Sequence, residues 1–181
     1  MRNTLVGIGY DVHPFKKGCP LILGGICIES QLGGLEGHSD ADVLAHALAD
    51  ALLGAAGKPD IGCLFPNTDE SVRGISGLAI LHRVSMLLHA AGLSICNIDC
   101  TVIAEAPKVL PHSYAMKEKL AGALDIKPLR VGIKATTNEG MGFLGRKEGI
   151  AVLAIANLVS AVHEELLRPP PEMSEYEEDK C

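Results

Sequence analysis

The chain has no tryptophan and only three tyrosines and three phenylalanines, so aromatics make up 3% of its 181 residues. Binding of nucleic acid by stacking bases on aromatic side chains is disfavoured, and the core must be built from Leu, Ile, Val and Ala. No basic excess exists either: 16 Lys and Arg stand against 22 Asp and Glu, a formal net charge of -6, without the footprint of a nucleic-acid binder. Long hydrophobic runs are missing. The longest apolar region, 150–162, is interrupted by Asn157 and Ser160 and is too short to cross a bilayer. The opening residues, MRNTLVGIGYDVH, have neither a signal-peptide apolar run nor Arg/Ser-rich transit character. The six cysteines (Cys19, Cys27, Cys63, Cys96, Cys100, Cys181) form no CxxC pair, which fits reduced, buried thiols. A cytoplasmic protein without nucleic-acid or membrane partners is expected.

What is present suffices for one core. Hydrophobic residues make up 48%, and no polar linker divides the chain, so residues 1–167 are expected to form a single domain. Much of the negative charge sits at the end: Pro169 to Cys181 hold five carboxylates and one lysine behind three prolines. Such a segment cannot offset its ordering entropy, and 168–181 is expected to be a disordered acidic tail.

Alternation from Val6 to His13 predicts a strand, with Val6, Ile8, Tyr10 and Val12 on one face and Gly7, Gly9, Asp11 and His13 on the other. A second run, Leu21 to Ile28, follows the Lys16-Lys17-Gly18 turn signal and is expected to return as a hairpin. Ser39 or Asp40 can cap a helix from about Asp42, with Leu44, Leu48, Ala51 and Leu52 as its apolar stripe and Asp42, His46 and Asp50 opposite. Further helices are predicted over Ile75–Ala91, from Pro111 to about Leu124, and from about Lys147 to Leu167; strands are predicted over Ser94–Ala106 and Leu129–Thr137. The order gives an α/β or α+β domain; the expected class is α+β, an α/β-type sandwich of one mixed sheet covered by helices on one face.

Two residues apart on a strand, Asp11 and His13 project to one face, and Gly7 and Gly9 are expected to leave that face open. A carboxylate and an imidazole so placed make half a metal site, and His46 is the natural third ligand. One Asp and two His would leave a zinc position open for a substrate oxygen. From spacing alone, ordinary hydrogen-bonding side chains are the commoner reading of such residues; as a metal site, the pattern would also serve a zinc phosphoesterase or a metal-stabilised binding module.

Five blocks narrow the choice. GYDVHPF at 9–15, HSDADVLAHALADALLGA at 38–55, DIGCLFPNTD at 60–69, IAEAPKVLPH at 103–112 and KATTNEGMGFLGRKEGIA at 134–151 resemble successive motifs of the methylerythritol cyclodiphosphate synthase family. They stand in the family's order and span nearly all of 6–160. The resemblance implies a phosphorus-oxygen lyase of isoprenoid biosynthesis, acting as a homotrimer with sites between subunits. It implies zinc at Asp11, His13 and His46, and magnesium or manganese at Glu139. His38 and Ser39 would sit by the attacking phosphate; helix capping is their bland alternative. Asp60 and Gly62 would grip erythritol hydroxyls, and Ala104, Ala106, Pro107, Lys108, Leu110, Ala135, Thr136 and Thr137 would form the cytidine pocket. Lys134 and Arg146 are phosphate candidates by type and motif, with plain surface roles as the alternative. Asp42 and Asp50 are candidates for orienting His46. The sequence departs from the family at Asn67, where Asp is common.

Overall fold

A computed structural model of the chain describes residues 4–37, 39–66 and 74–160. Strands β1 (Thr4–Lys16), β2 (Leu21–Leu23), β3 (Ile26–Ile28) and β4 (Gly34–Leu35) precede helices α1 (Val43–Ala55), α2 (Ile61–Leu64) and α3 (Gly77–Ala90). β5 (Leu93–Ile103), α4 (Ser113–Leu124), β6 (Val131–Thr136), α5 (Gly142–Gly145) and β7 (Gly149–Ser160) follow. Five strands form one mixed sheet in the order β4-β1-β7-β5-β6. β5 and β6 run parallel and the other pairs antiparallel; the parallel step uses α4 as its crossover, as a parallel pair requires. The expected α+β class and mixed sheet are present. None of the described helices is long and apolar enough to cross a membrane.

α1 lies against β1 and β7, α3 packs beside it, and α4 packs in turn against α3. Eleven of the thirteen α1 residues are buried, because the sheet is beneath the helix and further elements cover its back; a helix apolar all round belongs in such a place. Leu44, Leu48, Leu52 and Leu53 are fully buried, each stabilising the fold by about 2 kcal/mol through apolar area removed from water. Gly7 and Gly9 make the contact possible. A Cβ at Gly7 would fall 2.2 Å from the Ala51 carbonyl oxygen and one at Gly9 2.0 Å from that of Ala47. The glycines therefore do not leave their face open, as expected from the alternation; they let the helix backbone lie directly on the strand.

Other expectations need correction. Within the segment read as a final helix from Lys147, Gly149–Ser160 is the central strand β7; residues beyond Ser160 lie outside the described residues, as does the acidic tail. Leu21–Ile28 does not pair with β1 but folds on itself, β2 against β3, through a Gly24-Gly25 turn with φ of +55° and +73°, the geometry of a two-residue hairpin that favours glycine. Asp42, not Ser39 or Asp40, caps α1 by accepting from the Ala45 N–H. It does not face solvent: wholly buried, it accepts the Gly24 and Gly25 N–H groups at 2.9 and 2.7 Å and so ties the hairpin turn to α1. Of the described cysteines only Cys100 is buried, and Cys27 and Cys63 are exposed.

Candidate active site

β1 delivers Asp11 and His13 to the face under α1, and α1 lowers His46 onto them. Asp11 Oδ2 lies 3.1 Å from His13 Nε2 and 3.2 Å from His46 Nδ1, and the two nitrogens are 3.4 Å apart. A tetrahedral ion about 2.0 to 2.1 Å from each ligand would hold them roughly 3.3 Å apart. The three therefore fit a metal ion without rearrangement, and they form the metal-capable His/Cys/Asp/Glu group among the described residues. Burial pushes the Asp11 carboxyl up, but the hydrogen bonds and charges of His13 and His46 together outweigh it and hold the group well below the carboxylate range. Burial likewise pushes His13 down, yet the Asp11 hydrogen bond and charge raise it above its ordinary value.

Neighbouring groups set the ring orientations. The Glu36 carbonyl oxygen lies 2.6 Å from His13 Nδ1; accepting that proton leaves Nε2 to ligate, the usual arrangement behind a metal-bound histidine. Ser39 Oγ is 2.9 Å from His46 Nε2 and does the same for the second ring. Asp42 and Asp50 do not hold His46: Asp42 is engaged as described above, and Asp50 accepts the Ile61 N–H at 2.9 Å. Asp50 thus anchors α2, where Asp60 caps the helix by accepting the Cys63 N–H and Gly62 is exposed. His38 and Asn67 lie outside the described residues.

A second cluster forms where β5 and β6 end. A cavity of about 320 Å³ is lined by Ala104, Pro107, Lys108, Leu110, Thr136 and Thr137, together with Ala135. These are seven of the eight residues expected for the cytidine pocket; Ala106, the eighth, does not line it but joins Pro107 through a cis peptide bond. Glu139 follows on an exposed turn, its Oε1 accepting from Thr137 Oγ1 at 2.6 Å. Lys134 pairs with Asp99 on the sheet face, and Arg146 with Glu148 at 2.6 Å. The sheet register puts both clusters at one end: Val12 pairs Ala151, Ala151 pairs Ile103, and Ile103 pairs Thr136.

The YgbB family model matches residues 4–159. A 2-C-methyl-D-erythritol 2,4-cyclodiphosphate synthase from Symbiobacterium thermophilum is 56% identical over 84% of this chain and 96% of its own. The chain belongs to this family. Among solved structures, bifunctional IspDF from Campylobacter jejuni aligns with a TM-score of 0.84 at 42% identity, covering 88% of this chain and 43% of that longer one. IspF from Plasmodium falciparum, in a complex with CDP, aligns at 0.76 with 29% identity, covering 88% and 98%.

Membership of the family does not make every working residue visible in the sequence. Glu36 acts through its backbone carbonyl, which no side-chain pattern reveals. Glu105 accepts the N–H groups of Asn138 and Gly140 from 33 and 35 residues away, and only the parallel pairing of β5 with β6 brings it there.

Proposed function

We propose that the chain is a 2-C-methyl-D-erythritol 2,4-cyclodiphosphate synthase of isoprenoid biosynthesis. It would convert 4-diphosphocytidyl-2-C-methyl-D-erythritol 2-phosphate to the cyclic diphosphate and CMP. The observation that carries the reading is a three-ligand cluster of metal geometry at the same sheet end as a nucleotide-sized pocket. Asp11, His13 and His46 would hold zinc or a similar divalent ion, and Glu139 magnesium or manganese. Such cations supply the charge that lets two phosphate groups of one molecule approach.

The residues of the chain have positioning tasks. Backbone groups of 104–110 read the cytosine edge, and Lys108 with the Thr136 and Thr137 hydroxyls meets phosphate. Asp60 and the Gly62 backbone hold the erythritol diol, while Ser39, with His38, steadies the 2-phosphate. Lys134 and Arg146 are each drawn from their ion pairs when substrate charge competes. An oxygen of the 2-phosphate, ionised at neutral pH, attacks the β phosphorus. The bond from that phosphorus to the oxygen bridging to the α phosphorus breaks, and CMP departs with the bridging oxygen. In-line placement does most of this work, and no nucleophilic side chain is needed.

We infer further that three copies assemble. The sheet face away from the helices exposes Val6, Ile8, Tyr10, Leu153 and Ile155, with Ile8 69% exposed, a contiguous apolar area of the kind that marks an interface. Three copies with these faces toward a common axis would set the β6 margin of one beside the β1 margin of the next, pairing the pocket of one chain with the metal ligands of its neighbour.

Turnover in heavy-oxygen water tests the reaction. Release of CMP with a cyclic diphosphate free of solvent oxygen is expected, and a linear phosphate carrying solvent oxygen would sink the proposal.

A further inference from the structure

Between the pocket and Glu139 lies a carboxylate that has no part in the reaction above. Glu105 directly follows Ala104, which lines the cavity, and a single oxygen, Oε1, accepts the Asn138 N–H at 2.9 Å and the Gly140 N–H at 3.2 Å. These amides flank Glu139. With φ of +51° at Glu139 and +74° at Gly140, two successive residues are left-handed, a conformation a glutamate rarely adopts unaided. N–H groups in such a turn converge and suit an anion; here a side chain of the same protein fills that place. The turn also carries Glu139 to Thr137, which lines the cavity.

We propose that Glu105 is a positioning residue: its oxygen holds the Asn138–Gly140 turn so that the Glu139 carboxylate stays beside the nucleotide pocket. The inference rests on the cyclodiphosphate synthase reading of that site. One oxygen takes both hydrogen bonds, so an acceptor of the same reach is what the turn needs, not a charge. Glu105→Gln retains such an acceptor and Glu105→Ala removes it.

The test combines three readouts on the full-length protein: CMP release against magnesium concentration, CDP binding by calorimetry with and without magnesium, and amide exchange of the 135–145 peptide. Glu105→Ala is expected to lower kcat and raise the half-activating magnesium concentration, each by on the order of tenfold. Its 135–145 amides should exchange faster, its CDP affinity without magnesium should hold, and its zinc content should equal wild type. Glu105→Gln should stay within about threefold of wild type on every count, since an amide oxygen accepts as a carboxylate does. If Glu105→Ala does not fold, Glu105→Asp, which withdraws the oxygen by one methylene, should show the same losses. Three results would overturn the proposal: an unchanged magnesium dependence in the alanine or aspartate variant, a glutamine variant as impaired as alanine, or tighter CDP binding once the carboxylate is gone. Failure of the wild type to release CMP would instead strike the functional reading, and the exchange and CDP measurements would still judge Glu105.

Discussion

At Asp11 one carboxylate oxygen meets both imidazoles, and the three side chains hold each other in place before any ion arrives. The electrostatic consequence can be measured. His13 in the metal-free chain keeps its proton above the ordinary value of 6.5, so a metal binding at Nε2 must displace it. Asp11, held low, stays ionised and contributes no such competition. Apparent zinc affinity should therefore fall about tenfold per pH unit once pH drops below the raised His13 value. A chelator competition series from pH 8 to 6 should show the decline beginning above pH 6.5; constant affinity down to pH 6 would contradict it. The stability of the metal-free fold carries the opposite sign. The protonated pair stabilises fully below 6.5, and that contribution is lost as pH rises through the raised value. Through the family resemblance Asp11, His13 and His46 were legible as a candidate metal set, where spacing alone gave only Asp11 and His13 on one strand face with His46 as a natural third. Glu36 and Glu105 were not, because each acts on a distant segment.

Elements were legible where apolar residues recur at strand or helix spacing or a capping residue marks an end. β1, α1, α3, β5, α4 and β6 fall near their expected bounds. β7 was misread because both its faces are apolar: Ala154, Ala156 and Leu158 pack under the helices while Leu153 and Ile155 occupy the uncovered face. Without alternation, an apolar run rich in Ala and Leu reads as helix. The role of Gly7 and Gly9 was hidden for a related reason, since a glycine that admits a helix looks the same in sequence as one that leaves space. Gly9→Ala should push α1 off the strand, costing about 3 kcal/mol by overpacking and weakening metal binding as His46 moves from Asp11. Gly122→Ala in α4, where a Cβ meets nothing within 4 Å, should instead stabilise by about 0.5 to 1 kcal/mol. Denaturant unfolding compares the two, and equal stabilities would rule out the close contact between α1 and β1.

For the whole molecule, the apolar outer face and the placing of metal ligands and pocket at opposite margins of one sheet end point to the same assembly. In the proposed trimer, Ile8, Tyr10, Leu153 and Ile155 would leave water, and copies that bury this face would gain stability and complete the site. The most direct measurement is CMP release by His46→Ala and Lys108→Ala proteins, alone and after co-refolding. Each alone should be nearly inactive, while equal mixing should restore about a quarter of the wild-type rate, the share of interfaces that pair an intact metal site with an intact pocket. Near-wild-type activity from either variant alone, or a mixture as inactive as its parts, would contradict the account.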